Sequence, residues 1–307
     1  MVKIETIKSI VPYLGLGLVI ALSTILTNGN TLQPHNLRLV LEQSMIILIS
    51  ATGVVFVMSM GSLDFSQGSI LGFSSYVAAH LFGYGLAVAI LGAILVGAAI
   101  GAFNGLLHAK LKVRSFIATI CTMFIFRGLT AFLTTNYGPN IPFRIFEIDN
   151  FQVRIAVVFF ILIAGYVIFR YTKFGRQVRM IGAGEIAANY SGVQVAQVKA
   201  AAFIFAGAMA GIGGIFSLIR TGSVTPATGT LLETDVMIAL VLGGLPIVGG
   251  AKARFSAVFI GALLLAFLGN GLVQIGADPV TQQLVRGLVF LVTIIVTTDR
   301  KNTIVNK

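Results

Sequence analysis

LAVAILGAILVGAAIGAFNGLLH, residues 86–108, carries no charged side chain and no proline. About 20 apolar residues in a helix cross the hydrocarbon core of a bilayer, and this run is longer than that. Nine further apolar segments surround it, at 9–27, 37–60, 68–82, 116–135, 153–169, 200–219, 235–248, 255–275 and 282–296. Those at 68–82 and 235–248 are short and rich in small residues. They are expected to be broken or re-entrant, with the freed backbone groups buried in protein. The alternating ten-residue strands of a membrane barrel are absent. The expected fold is therefore all-α and integral to the membrane, with about ten transmembrane helices.

Composition supports this. The 307 residues are 57% hydrophobic and 10% charged, with a mean hydropathy of +0.97. A soluble domain of this length has about a quarter of its residues charged, which excludes a soluble enzyme. Residues 1–307 are read as one transmembrane domain. Lys3 and Lys8 flank a first segment that is long and lacks a small-x-small cleavage site, so it reads as a retained anchor.

The net charge of +11 has a lopsided distribution. With the N-terminus in the cytoplasm, 15 Lys and Arg fall inside, at 3–8, 110–114, 170–199, 252–254 and 300–307. Only Arg38, Arg144, Arg154 and Arg220 fall outside, while Arg127 and Arg286 lie within segments. This bias places both termini in the cytoplasm. The charge is a topology signal and requires no nucleic-acid partner.

Between the sixth and seventh segments lies a cytoplasmic loop at about 171–199, YTKFGRQVRMIGAGEIAANYSGVQVAQVK from Tyr171. Residues 186–190 read as a helix that Gly192 stops, because glycine tolerates the left-handed backbone at that point. Gly182-Ala183-Gly184-Glu185-Ile186-Ala187 imitates a dinucleotide fingerprint, but that motif needs a strand–helix–strand unit and an acid about 20 residues later. Here no Asp or Glu separates Glu185 from Glu233, and a membrane helix follows. No phosphate-binding loop, nucleophile elbow or metalloprotease motif occurs. The histidines at 35, 80 and 108 are scattered, and Cys121 is alone. No catalytic, cofactor or metal site is expected.

Polar residues at membrane depth are functional candidates by default. Asp64, at the inner end of the second segment beside Ser62 and Ser66, reads first as a cap on the following helix. Contact with a transported solute is the other role open to it. Asn104, Arg127, Asn270 and Arg286 either line a path or lock helices together. Glycines at 92, 97, 101 and 105 suit close helix packing.

Four stretches together carry a family resemblance. They are Gly61-Ser62-Leu63-Asp64-Phe65-Ser66-Gln67-Gly68-Ser69, then Arg114 to Thr119 with Arg127-Gly128. Next comes Thr172-Lys173-Phe174-Gly175-Arg176, continuing through Gly182, Glu185, Ala187, Ala188 and Ser191-Gly192-Val193. The last is Val241 to Gly244 with Gly249-Gly250 and Gly261-Ala262-Leu263. From about Leu37 to Val296 the chain resembles the permease subunit of bacterial ABC sugar importers of the ribose, galactose and xylose type. The resemblance implies a multi-pass protein of the bacterial cell membrane. It implies a second permease copy, identical or different, together with cytoplasmic ATPase subunits and an extracytoplasmic sugar-binding protein. Gly175, Arg176, Gly182, Glu185, Ala187, Ala188, Ser191 and Gly192 would form the ATPase-coupling loop, with Glu185 and the Ala187-Ala188 surface in contact. Asp64, Ser66, Gly68 and Ser69 would form a helix-start or gating motif. Gly184, where the family usually has Asn, and Leu245-Pro246 depart from the pattern.

Two rival classes fit worse. An ion-coupled secondary transporter needs ionisable residues midway along its helices, and Glu42 and Asp64, the acidic candidates within or bordering the segments of the first half, lie near segment ends. A membrane-embedded enzyme needs a catalytic cluster that the sequence lacks. The charge bias makes a direct prediction. Side-specific reporters fused after Lys112, Gln194 and Lys307 will all report the cytoplasm, and an external signal at Gln194 would overturn the topology.

Overall fold

The computed structural model describes residues 2–136, 138–139 and 149–297. Arg144, Arg300, Lys301 and Lys307, which enter the charge count, lie outside the described residues. Every regular element among the described residues is helical. The first half contains α1 (Val2–Leu26), α2 (Pro34–Ser59), α3 (Gln67–Leu81), α4 (Leu86–Ala109), α5 (Ser115–Thr134) and α6 (Phe151–Tyr171). After these come α7 (Lys173–Ala183), α8 (Glu185–Tyr190), α9 (Val195–Thr221), α10 (Leu232–Leu242), α11 (Ser256–Gln274) and α12 (Pro279–Thr297). By length and hydropathy six of them (α2, α4, α5, α6, α9 and α11) can each cross a membrane.

Local chemistry sets several boundaries. Asn150 caps α6 by accepting from the Gln152 amide at 2.9 Å, and Thr172 caps α7 by accepting from the Gly175 amide at 3.3 Å. Asp278 accepts from the Val280 and Thr281 amides at the start of α12. The apolar segment expected over 235–248 is helical only to Leu242. Gly244 takes φ +91° there, and Pro246 turns the preceding residue away from helical geometry. The loop at 171–199, expected to hold one short helix, forms two, because Thr172 supplies a start signal well ahead of Glu185.

The core is built on α2 and α9. Phe56 of α2 is fully buried, and its ring centroid lies 5.3 Å from that of Phe169 and 5.0 Å from that of Phe205. The most extensive helix pairing is α9 against α4, and it brings backbone against backbone. A Cβ on Gly97 would strike the Gly207 carbonyl, one on Gly101 the Phe203 carbonyl, and one on Gly211 the Ala93 carbonyl. Membrane helices gain little from apolar exclusion, so such approach is where their van der Waals energy comes from.

The chain also repeats its own order. In α2–α5 a long helix, an irregular stretch, a short helix and two longer helices follow one another, and α9–α12 repeat the sequence. The second set runs in the opposite sense. The last residue of α2, Ser59, lies beside α7, whereas α9 starts there, with Lys199 paired to Glu185. The two short helices meet head to head, with Gly229, just ahead of α10, packed on Gly68 at the start of α3.

Glycine at the α4–α9 contact is predicted to be irreplaceable. Gly101→Val should lower stability by about 1–3 kcal/mol, the usual cost of overpacking, read as a reduced thermal midpoint in detergent. Gly17→Ala, whose Cβ meets only open space, should leave the midpoint unchanged.

Candidate functional site

Two clusters hold most of the residues singled out in the sequence. The first is the α7–α8 end of the bundle. Gly175 sits where a Cβ would strike the Phe169 and Ile168 carbonyls, so α7 folds back tightly on the end of α6. Gly182 lies against the Ser59 carbonyl, and that carbonyl also accepts the Gly250 amide at 2.9 Å. One oxygen at the end of α2 therefore gathers α7 and the α10–α11 loop. Arg176, on the outer face, donates from Nη1 to the Tyr171 carbonyl at 2.9 Å. Arg179 lies over the Phe169 ring at 5.3 Å. Partial burial, and then Arg170 and Arg176 beside it, hold its pKa below the ordinary arginine value.

In α8, Glu185 accepts from the Lys199 ammonium at 2.7 Å, clipping this six-residue helix to the first turn of α9. Lys199 is 9% exposed and Ala188 is 2% exposed. Ala188 packs inward with Val178, Ile181 and Val193 and so presents no surface. The outward positions are Ala187, Ser191, Gly192 and, above all, Ile186 at 75% exposure and Tyr190 at 88%. Four residues apart, Ile186 and Tyr190 share one helix face. Gly184, in extended backbone, leaves α8 without a side-chain cap, and Leu245 is buried in the core.

The second cluster is the seam from Gly61 to Ser69, where the chain leaves α2 and re-enters as α3. Asp64 is 1% exposed, and every bond it makes is internal. Its Oδ1 accepts from the Ser66 amide and hydroxyl, and its Oδ2 accepts from Gln67 Nε2 at 2.7 Å. Asn104 of α4 donates to Ser66 Oγ at 2.8 Å and accepts from Thr122 of α5 at 2.7 Å. Alongside, the Leu63 amide donates to Ser115 Oγ and the Phe65 amide to Thr119 Oγ1. Ser69 Oγ donates to the Ser66 carbonyl. Where α3 begins, Gly68 lies under the Glu233 carboxylate, which accepts from Arg127 Nη2 at 3.0 and 3.1 Å. A carboxylate at a helix N-terminus suits the helix dipole.

Residues 36–294 match the family described as the permease component of the branched-chain amino acid transport system. The chain belongs to that permease family. It is 34% identical over 303 residues to the ribose import permease protein of Bacillus subtilis strain 168, an alignment covering 94% of this chain and 92% of the relative. Against the ribose import permease protein of Escherichia coli K12, identity is 32% over 295 residues, covering 90% and 91%. Against the D-allose transport system permease protein of the same organism, it is 30% over 281 residues, covering 89% and 86%. No solved structure matches the chain.

The remaining polar candidates of this permease are helix ties. Asn270 accepts from Asn36 at 2.9 Å, joining α11 to α2, and from Gln274 at 2.7 Å. Arg286 donates to both oxygens of Asp235 at 3.1 Å, joining α12 to α10. Sequence reasoning named both arginines and missed Glu233 and Asp235, although the signal was present. Two guanidiniums inside apolar segments need carboxylate partners, and the acids at the start of the eighth segment supply them. Lys199, a topology charge in the sequence, is also half of the α8 clip.

Asp64→Ala should strip the only side-chain acceptor that Ser66 and Gln67 have among the described residues. Each orphaned buried donor costs about 1–3 kcal/mol. The thermal midpoint should fall, and hydrogen exchange at the Ser66 amide should quicken, with Asp64→Asn milder because one acceptor survives.

Proposed function

We propose that this permease is the membrane subunit of a binding-protein-dependent ABC importer for a monosaccharide, energised by ATP hydrolysis in separate cytoplasmic subunits. The observation that carries the reading is α8: a short helix clipped at Glu185 by a buried lysine, with Ile186 and Tyr190 almost wholly exposed at one end of the bundle. Large apolar side chains held out on a rigid, polar framework mark a partner contact, and tyrosine is among the residues most often central to one. In a chain of this family the fitting partner is the ATPase. The roles of the relatives, ribose and D-allose transport, supply the substrate class.

The proposal includes one membrane domain over residues 1–307 with ten crossings, the six self-sufficient helices together with α1, α3, α10 and α12. Both termini and the α7–α8 end face the cytoplasm of a bacterial cell. Two permease copies, alike or different, stand over two ATPase subunits, and a sugar-binding protein docks at the far end. Gly175 and Gly182 fix α7, Arg176 and Glu185 hold the frame, Ala188 anchors α8 inward, and Ala187, Ser191 and Gly192 flank the contact. Motion of the ATPase would pass through α8 to Lys199 and α9, and through α7 to the end of α2. The seam at Asp64, Ser66, Gly68 and Ser69 lies directly beyond that end.

The test pairs surface with core. Ile186→Ala with Tyr190→Ala should leave membrane abundance unchanged, because neither side chain is buried. ATPase co-purification should weaken by about 30-fold, as expected for losing a hot spot worth about 2 kcal/mol, and sugar-stimulated hydrolysis should fall with it. Ala188→Trp should instead lower abundance itself. Unaltered co-purification and hydrolysis in the double variant would remove α8 as the coupling element.

A further inference from the structure

Arg127 is closed onto Glu233, but Arg286 borders open space. Lys199 marks the α7–α8 end of α9, and Arg220 lies 21 residues along it, about 30 Å away at 1.5 Å per residue. At that far end α2, α9, α10, α11 and α12 border a half-open cavity of about 240 Å³. Its walls are apolar at Leu265, Ala266 and Val273, and polar groups converge on it from four of the five helices. Arg286 gives one nitrogen to Asp235, while its Nε is enclosed without an acceptor among the described residues. Gln282 spends its amide nitrogen on the Ala277 carbonyl at 2.9 Å and keeps its oxygen free. Gln43, well inside α2, has no side-chain partner among the described residues.

In a membrane protein, polar groups left unmatched at helical depth cost stability and are kept for a use. We propose that this cavity is a transient binding site for one neutral monosaccharide entering from the far end. The inference rests on the importer reading and deepens it. Sugar hydroxyls both donate and accept. They can accept from the Gln43 amide and the Arg220 guanidinium, and donate to Asp235 and the Gln282 oxygen. The Arg286–Asp235 pair is neutral as a unit, and Arg220 at the outer edge adds one positive charge, a donor that hydroxyl oxygens can also meet. The volume lies below the roughly 300–1,000 Å³ of drug-sized pockets and is on the scale of one sugar ring, so a disaccharide would leave its second ring outside. No aromatic side chain lines the cavity, so there is no stacking surface to hold the ring tightly. Weak retention suits a site that must hand its ligand onward.

Cys121 is the only cysteine, which permits a clean test on the full-length chain in nanodiscs. In a Cys121→Ser background, single reporters are placed at Ala266→Cys in the wall and at Val273→Cys, which is 57% exposed at the rim. Labelling by a membrane-impermeant methanethiosulfonate is followed with D-ribose, D-allose, D-galactose or maltose present. At least one monosaccharide should slow labelling by about 5-fold or more when present at several times its dissociation constant. Maltose should not, and a Leu32→Cys reporter at the same end should be indifferent to all four. Adding Gln43→Leu should raise the half-protecting concentration. If Ala266→Cys reduces abundance, Val273→Cys carries the measurement. Failure of every monosaccharide to protect either reporter overturns the site, as does protection that follows phosphatidylglycerol content instead of sugar. Uptake of the same sugars by cells with and without the chain separates the two readings. Uptake without protection removes the cavity alone, whereas no uptake of any sugar removes the importer reading.

Discussion

Between Ser59 and Gln67 the chain abandons helical geometry inside the bundle, where no water is at hand to satisfy its amides. That demand organises the surrounding structure. The Asp64 carboxylate takes the Ser66 amide, while Ser115 and Thr119 of α5 take the amides of Leu63 and Phe65. Asn104 of α4 ties the arrangement to Thr122. With the amides matched, α3 can start deep within the protein, where Gly68 meets the approach to α10. The contact between the two short helices, and with it the Arg127–Glu233 pair, depends on this irregular stretch being held by side chains from two neighbouring helices.

The long helices solve a different problem. Between α4 and α9 the contact surface is mostly backbone, because glycines on both sides remove the side chains that would hold them apart. Around this pair the chain lays down two sets of four helices in the same order and opposite sense. An architecture of that kind places its two interrupted helices together near the middle, where inverted repeats in transporters gather their polar chemistry. The polar groups observed there, Glu233, Arg127 and Gln67, follow that logic.

Much of this was legible in the sequence. Hydropathy alone finds the segments that become helices, because membrane-depth backbone must satisfy itself and the apolar runs are long. The Asp64-to-Ser69 motif and the α7–α8 loop stand out because their residue types are costly or unusual where they occur. Pairing across the chain was not legible. Nothing local in Arg127 or Arg286 says which acid answers it, and Lys199 looks like any other topology charge until α8 folds back on α9. The orientation of α8 was hidden for a related reason. Ala187 and Ala188 are adjacent and alike, and only the helical turn decides that Ala188 faces the core while Ile186 and Tyr190 face out.

The Ser59 carbonyl has a consequence for how this protein can change over time. Gly182, Gly249 and Gly250 all approach it, from two elements far apart in the chain. A side chain at Gly182 or Gly249 forces the end of α2 to retreat, and once it has retreated, a side chain at the other meets less resistance. The penalties are therefore less than additive, as for any residues that share one contact. The junction behaves as a single locus of epistasis. A lineage that loses the first glycine has little left to preserve in the next, so these positions are expected to be kept together or abandoned together.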